Sequence, residues 1–387
     1  MKTVKFQDKI ALILFFLIFS PILFLLVKSF NQDTESLQYL FKNLLFDYSF
    51  NTIYLVIITS FFSLIFGIIP AWYVSNYQFA GRRILDMILY LPLAIPTYIM
   101  AFTYSELLSF TGPFKITYDF LQIEILGILL AFSLYPYIYS VSRISFSLFG
   151  SRYYDMAKNL GLNAYQTFLK VVLPLSRPAI LSGLFLVVME VLNEYGAVKY
   201  FGVNTYTIGI FRSWNSMNDS GAAIQLSSIL LFIVAFLFFI EKYFNQNKRF
   251  SFSKNTQLAP LLRPNISMKS LIYVICLIPI ILAFLVPVFF NMINIFSSYD
   301  NINFERLLNL TLNSFTVSMI ASVLILIVST FFLYNEKISK SKVYYYINQF
   351  ISLGYSIPGA VVALAVIISV TSLDNLDDNI KLLGGFP

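Results

Sequence analysis

The sequence predicts an all-α protein, built as a polytopic bundle of membrane-spanning helices. Of its 387 residues, 58% are hydrophobic and only 12% are charged, a balance that water-soluble domains do not have. Runs of about 20 apolar residues recur along the chain, and each is long enough to cross a hydrocarbon core roughly 30 Å thick. These two observations predict about nine spans and exclude an ordinary soluble protein.

The predicted spans follow one another with short connections. The first apolar run has basic residues before it, as a signal peptide does, but it is too long and lacks a small-residue cleavage site. We therefore expect it to be a retained span. The spans lie near residues 10–30, 52–74, 87–108, 123–142, 179–198, 222–241, 270–291, 312–334 and 347–371.

Lysine and arginine are divided unevenly between the two alternating sets of loops. The set that includes the N-terminus and the loop at 154–178 holds 19 of the 26 basic residues, and the other set holds 7. Because cytoplasmic loops carry such an excess, we expect a multi-pass protein of the plasma (inner) membrane, surrounded by lipid, with a cytoplasmic N-terminus. The same excess explains the net charge of +7 without a nucleic-acid partner.

Residue types that usually build catalytic or metal centres are scarce. Histidine is absent and Cys276 is the single cysteine, so the sequence offers neither an imidazole centre nor a disulfide. An integral membrane enzyme would need several titratable groups at one depth, and few acids lie within the apolar runs. We therefore predict no catalytic residues and no metal site.

A shift of 262 positions superimposes two parts of the chain without a gap. Asn51 then falls on Asn313, and Pro96 falls on Pro358. A proline inside an apolar run removes a backbone donor, so Pro96 and Pro358 are expected to bend their helices. Internal repeats of this kind predict two tandem copies of one membrane unit.

The repeat divides the chain into a first unit at 1–245, a polar and basic cytoplasmic linker at 246–269, and a second unit at 270–387. The loop at 154–178 would recur beyond Pro387, so the second unit is expected to be incomplete. A fragment, a truncated product and a missing part supplied by another chain all fit this pattern.

The loop at 154–178 is expected to begin with a short helix. Asp155 suits its N-terminus by capping and by charge. Gly161 suits its end, because glycine adopts the left-handed conformation that terminates helices.

A second short helix is expected to follow in the loop. Asn163 is the predicted cap for 164–172, and Pro174 and Pro178 are expected to break the path back into the membrane. The loop would then present a helix at the cytoplasmic surface. Such a helix either binds a partner or lies on the lipid headgroups.

Within this loop, Asp155-Met156-Ala157, Gly161 and Leu173-Pro174 resemble the Glu-Ala-Ala, Gly and Leu-Pro pattern in the membrane subunits of binding-protein-dependent ATP-binding-cassette importers. Asp replaces the family's Glu, and Met replaces its first Ala. Outside the loop, the likeness is to the iron(III) permeases with two fused halves. It is carried by residues 91–96, 189–196, 200–203 and 209–214.

The resemblance implies that the loop is a coupling helix held by two copies of a cytoplasmic ATP-binding subunit. An extracytoplasmic binding protein would deliver the substrate. The sequence has no GxxxxGK[ST] stretch, so ATP would be used by the partner, and the permease would be no enzyme and hold no cofactor of its own. We expect import of iron(III) by alternating access.

Two kinds of alternative remain open. Permeases of the same class also carry thiamine, polyamines or oxyanions. An ion-coupled secondary transporter would share the repeat and the broken helices, but it would not need the loop at 154–178.

The fifth predicted span carries candidate residues for a transport path. At helical spacing, Glu190, Asn193 and Glu194 share one face, and burying their carboxylates against lipid costs several kcal/mol. We therefore expect this face to meet water, another helix or a passing cation. The residues either line a route for a hard, oxygen-seeking cation or form a structural contact.

Overall fold

A computed structural model describes residues 6–30, 34–110, 112–115, 120–245, 261–339 and 342–384. Nearly all of these residues are helical, and the β structure among them is an isolated bridge between Tyr77 and Leu262. Most of the predicted linker, 246–260, lies outside the described residues. At its far end, Leu262 exchanges backbone hydrogen bonds with Asn76 and Gln78, which fastens the start of the second half to the end of a helix in the first.

The helices are numbered here in chain order. The first eleven are α1 (Phe6–Ser29), α2 (Thr34–Asn43), α3 (Leu45–Asn76), α4 (Arg82–Ile88), α5 (Thr97–Leu108), α6 (Ile123–Asn159), α7 (Ala164–Thr167), α8 (Leu173–Asn193), α9 (Gly196–Tyr200), α10 (Tyr206–Asn215) and α11 (Ser220–Asn245). The others are α12 (Ile266–Ile280), α13 (Val286–Ser297), α14 (Phe304–Ser339), α15 (Lys342–Leu353) and α16 (Gly359–Gly384).

Seven helical segments in the described part of the chain are long and apolar enough to cross a membrane. Two further pairs of helices pass the same test together, which raises the number to nine if each bent pair is one span. The prediction of an all-α, multi-pass membrane protein is confirmed. The predicted third and ninth spans correspond to the two bent pairs.

Both bends fall at the prolines that the repeat superimposes. The segments Arg82–Ala94 and Thr97–Leu108 meet at 89° around Pro96, and Val343–Ser356 and Gly359–Asp374 meet at 107° around Pro358. Ile95, which precedes Pro96, is extended at φ −97° and ψ 115°. Proline disfavours helical geometry in the residue before it, so the helix is interrupted there rather than only bent.

The described chain forms two compact units that interleave along the sequence. One combines 1–34, 224–235 and 292–387, and the other combines 35–223 and 236–291. In the first of these, α1 packs against α15 and α16; in the second, α12 packs against α3. The shift of 262 places α1 on the stretch from α12 to α13, so these two segments correspond in the repeat. α1 comes from the first half of the sequence but packs in the unit built mainly from the second half, and α12 comes from the second half but packs in the unit built mainly from the first.

In the unit that holds the loop at 154–178, α6 lies between α3 and α8. Glycines allow this close packing. A Cβ at Gly67 of α3 would lie 2.8 Å from Ile138, and one at Gly183 of α8 would lie 2.6 Å from Val141. Small residues let membrane helices approach closely, and here they bring α3 and α8 against the middle of α6.

Candidate functional site

The loop at 154–178 begins on a long helix and not on a separate short one. α6 continues without a break from Ile123 to Asn159, so Asp155 lies inside its C-terminal part. The prediction that Asp155 starts a helix is therefore wrong. Helix packing along the membrane segment carries the helix through this position, and a local capping preference of about 1 kcal/mol does not interrupt it. Asp155 and Met156 are exposed, whereas Ala157 is buried.

Gly161 ends α6 as its sequence position predicts. Its φ is +78°, in the left-handed region. The backbone N–H of Leu162 donates to the carbonyl of Ala157 at 3.0 Å, which is the long hydrogen bond of a Schellman turn. The space around Gly161 is open, because no heavy atom lies within 4 Å of a Cβ built there. Backbone conformation alone requires glycine at this position.

Asn163 caps the next helix as predicted. The backbone N–H of Gln166 donates to Asn163 Oδ1 at 2.8 Å, and the backbone N–H of Asn163 donates to Gln166 Oε1 at 3.2 Å. This reciprocal pair is a capping box. It fixes the direction in which the chain leaves the turn at Gly161.

The return to the membrane is continuous, contrary to the predicted break at Pro174 and Pro178. A π-helical turn spans Phe168–Val172, and Leu173 and Pro174 form the start of α8 directly after it. Because the π turn runs directly into α8, Pro174 lies inside a continuous helical stretch, where its missing N–H is one backbone donor fewer. The wider turn before it supplies the space that the proline ring needs.

Three aromatic side chains join the base of the loop to the membrane helices. The Phe168 ring lies 4.6 Å from Trp72 of α3 and 5.9 Å from Phe146 of α6, measured between ring centroids. Trp72 and Phe146 also contact each other at 5.9 Å. Such contacts add to the burial of the rings, and the π turn is thereby attached to both helices.

The loop presents large apolar side chains to solvent on both sides of the turn. Met156 is 62% exposed, Leu160 80%, Tyr165 70% and Leu169 40%. We call these four residues the loop face. Met156 and Leu160 are one helical turn apart, as are Tyr165 and Leu169. An exposed apolar set on a rigid support is typical of a surface that binds another protein.

The candidate path residues of the fifth span do not all share a helix face. α8 ends at Asn193, and Glu194 is extended at φ −69° and ψ 126°. The predicted common face is therefore wrong for Glu194. Glu190 is half-buried and accepts a hydrogen bond from the Tyr137 hydroxyl of α6 at 3.2 Å, and Asn193 is exposed.

Glu194 connects three elements. Its carboxylate accepts from the Thr97 hydroxyl at 2.5 Å and from the backbone N–H of Ala197 at 2.8 Å. Its backbone carbonyl accepts from the Thr207 hydroxyl at 2.8 Å. Because Thr97 is the first residue after the break at Pro96, the carboxylate ties the second limb of the broken third span to the start of α9, and the backbone carbonyl of Glu194 adds a contact to the start of α10.

A second polar cluster, which sequence reasoning missed, ties the first limb of the same span to α6. Asp86 of α4 pairs with Arg143 of α6 and accepts a hydrogen bond of 2.7 Å from the Tyr139 hydroxyl. We call these three residues the α4–α6 clamp. The signal for it would have been an acid and a base at the edges of two neighbouring apolar runs, Asp86 just before 87–108 and Arg143 just after 123–142.

The described residues do not contain a group of three or more His, Cys, Asp or Glu side chains placed to hold a metal ion. Within that part of the chain, the polar groups at Glu190 and Glu194 are engaged with hydroxyl and backbone donors. The arrangement is suited to holding helices in place.

Residues 63–250, which include the loop, the clamp and the three candidate path residues, match the family of binding-protein-dependent transport system inner membrane components. The matched residues, just under half of the chain, are similar to a permease domain of this family.

Relatives of the permease differ in the substrate that their names give. The sulfate transport system permease protein CysT of Escherichia coli (strain K12) is 33% identical over 156 residues, which are 38% of this chain and 55% of that protein. The Fe(3+)-transport system permease protein FbpB 2 of Haemophilus influenzae is 24% identical over 354 residues, 90% of this chain and 68% of that protein. The permease thus spans little more than half of the length of CysT.

Proposed function

We propose that this permease carries a small inorganic ion into the cytoplasm by alternating access, driven by ATP hydrolysis in two partner subunits that bind the loop at 154–178. The observation that carries the proposal is the loop face. A membrane protein gains nothing in stability by exposing four large apolar side chains, whereas a partner that covers them gains roughly 25 cal/mol for each Å² of apolar surface removed from water.

The loop is built to transmit movement. On one side it is the direct continuation of α6, and on the other it is attached by Phe168 to Trp72 and Phe146. A force applied to the loop face therefore reaches the membrane helices without passing through a flexible segment. Coupling between distant sites needs such a contiguous chain of packed elements with two arrangements.

The broken third span is the element that we propose moves. Its first limb is tied to α6 by the α4–α6 clamp, and its second limb is tied through Thr97 to Glu194. In transporters, discontinuous helices commonly surround the substrate site, because their ends expose backbone groups inside the membrane. Movement of α6 would shift the first limb against the second and change the access at Pro96.

Glu190 and Asn193 are the residues that we propose face the transport path, since both lie on α8 and neither is fully buried. Glu194 has a different proposed role. Its two carboxylate oxygens are already held by Thr97 and Ala197, so it acts as a joint between helices and does not bind the substrate.

Iron(III) is the substrate that we propose. The relative that aligns with 90% of this chain, and therefore with both halves, is named as an Fe(3+) permease. Sulfate is the second candidate, because higher identity, 33%, is found with CysT over a shorter segment. In either case an extracytoplasmic binding protein would select the ion, which fits a path without a cluster of ligands.

The proposed orientation places the N-terminus and the loop in the cytoplasm, because the alternating set of loops to which they belong holds 19 of the 26 basic residues. ATP would be bound by the partner subunits alone, and the permease would need no cofactor.

The test is ATP-dependent uptake into proteoliposomes that contain the permease with its partner subunits and binding protein. Radioactive iron(III) and radioactive sulfate are compared in parallel. The double substitution Leu160→Ala and Tyr165→Ala should abolish uptake and the binding of the ATP-binding subunit. Met217→Ala, which removes an apolar side chain of similar exposure outside the loop, should leave both unchanged. Uptake that continues without ATP and follows an ion gradient would contradict the proposal.

A further inference from the structure

A small cavity of about 190 Å³ lies beside the end of α8 that is remote from the loop at 154–178. Side chains of Tyr195, Lys199, Arg212, Asn215 and Ser216 line it, from the ends of α9 and α10. We propose that this cavity is a binding site for a small oxyanion such as sulfate. This proposal depends on the proposed function in one respect: the orientation proposed there decides on which side of the membrane the cavity lies.

Charge is the main argument. Lys199 and Arg212 both line the cavity, and in the described part of the chain neither lies within 4 Å of a carboxylate. Each is in the last turn of its helix, where the negative end of the helix dipole offsets up to about half a unit charge. Two positively charged side chains therefore line the cavity, and the helix dipoles offset their charge only in part.

The cationic groups are held in place by aromatic contacts. The Tyr195 ring packs against Phe211 with 4.3 Å between centroids, and Lys199 Nζ lies 5.4 Å from the centre of the Tyr195 ring. On the other side, the Arg212 guanidinium interacts with the Tyr48 hydroxyl. A binding site needs this kind of support, because side chains that are already ordered lose less entropy when a ligand arrives.

The packing of α10 fixes the position of Arg212 further. A Cβ at Gly209 would lie 2.6 Å from the Tyr48 ring, so α10 lies directly against α3. This close approach holds the backbone that carries Arg212.

The size and the donors fit an inorganic anion. Pockets for drug-sized molecules measure about 300–1,000 Å³, so a cavity of 190 Å³ suits an ion with a few waters. The guanidinium of arginine presents several N–H donors in one plane, a geometry that matches the oxygens of oxyanions, and lysine adds a point charge. Asn215 and Ser216 supply neutral donors for the remaining oxygens.

The distribution of basic residues along the chain also singles out these two side chains. Lys199 and Arg212 belong to the loop set with only 7 of the 26 basic residues, where the positive-inside bias does not account for them. Tyr195 directly follows Glu194, the joint of the broken third span. Positive charge at such a point would raise the local concentration of an anion.

The experiment measures sulfate binding to the purified chain in detergent, without partner subunits or ATP. Titration with sodium sulfate is followed by calorimetry and by intrinsic tryptophan fluorescence, with sodium chloride at matched ionic strength as the reference. The wild type should bind sulfate saturably. Arg212→Gln and Lys199→Gln should each weaken binding roughly 10- to 100-fold, the range for a lost hydrogen bond to a charged group.

Arg306→Gln is the matched control, because it removes an exposed arginine of the same loop set outside the cavity. Arg212→Lys keeps the charge and should retain part of the affinity, which separates loss of the site from loss of folding. Absence of saturable sulfate binding in the wild type, or equal affinity in the Lys199→Gln and Arg212→Gln double variant, would overturn the proposal. Because no transport is measured, failure of ATP-driven uptake would leave the binding result standing.

Discussion

Replacing Gly161 by alanine perturbs the turn between α6 and α7 and nothing else in the loop. The φ of Gly161 is +78°, and no heavy atom lies within 4 Å of the position that a Cβ would take. The substitution therefore adds backbone strain without a steric clash, and it removes no side chain from the loop face.

The expected size of the effect follows from this conformation. An L-residue in the left-handed region costs roughly 1–2 kcal/mol. A cost of this size lowers the population of the native turn by a factor of about 5–30 relative to the competing conformations. Proline fixes φ near −65°, so Gly161→Pro cannot form the turn and should act far more strongly than alanine.

The assay measures co-purification of the ATP-binding subunit and ATP-dependent uptake for each variant, after membrane insertion has been checked. Gly161→Ala should reduce both partially, and Gly161→Pro should abolish both while insertion is retained. Gly81→Ala is the control. Its φ is +72° and its surroundings are equally open, so it carries the same strain outside the loop.

The reasoning would be refuted by two results. In one, Gly161→Pro binds the ATP-binding subunit and transports like the wild type. In the other, Gly81→Ala loses as much coupling as Gly161→Ala, which would mean that general strain and not the docking turn is responsible.

Three further predictions concern the membrane helices. Asp86→Asn should leave assembly and ATP hydrolysis intact but reduce transport, since the first limb of the third span is released from α6. The exchanged pair, Asp86→Arg with Arg143→Asp, should restore part of the transport. Equal transport in Asp86→Asn and the wild type would contradict this role of the clamp. Thr97→Val should lower uptake, because it removes the hydrogen bond to Glu194. Glu194→Gln should have a smaller effect, since its amide can donate to the Thr97 hydroxyl and still accept from Ala197. A large effect of Glu194→Gln beside a silent Thr97→Val would instead point to contact with the substrate. Glu190→Gln should change the uptake rate more than the yield of purified complex, and loss of the complex would favour a structural role.

Local signals predicted a large part of the architecture. Hydropathy located the spans, because each must bury about 20 residues in lipid. The turn at Gly161 and the cap at Asn163 were predictable because glycine and asparagine act there through their own backbone and side chain. The break at Pro96 was predictable in position, since proline acts on the residue directly before it.

Features that depend on tertiary packing were not predictable in this way. Asp155 looks like a helix start, but α6 passes through it because its membrane part is packed between α3 and α8. Pro174 looks like a helix breaker, but the π turn before it accommodates the ring. A capping or breaking preference describes only what a residue favours locally. In α6, the packing of a helix of 37 residues outweighs that local preference.

The prediction that Glu190, Asn193 and Glu194 share one face of the fifth span was wrong for a related reason. Helical spacing places Glu190 and Glu194 together only if the helix continues past Asn193, and the sequence gives no strong stop there. In the structure α8 ends at Asn193, and Gly196, just beyond it, lies so close to Tyr98 that a Cβ would be 2.9 Å away. A close contact between distant segments of this kind is not visible in a single sequence.

A single introduced cysteine tests the central claim directly. Cys276 is buried, so Leu160→Cys would place the one accessible thiol on the loop face. In closed inside-out and right-side-out vesicles that hold the assembled transporter, this thiol should react with a membrane-impermeant reagent only in the inside-out form. A bifunctional reagent should join it to the ATP-binding subunit. Reaction from the extracytoplasmic side, or crosslinks that never include the ATP-binding subunit, would contradict the account.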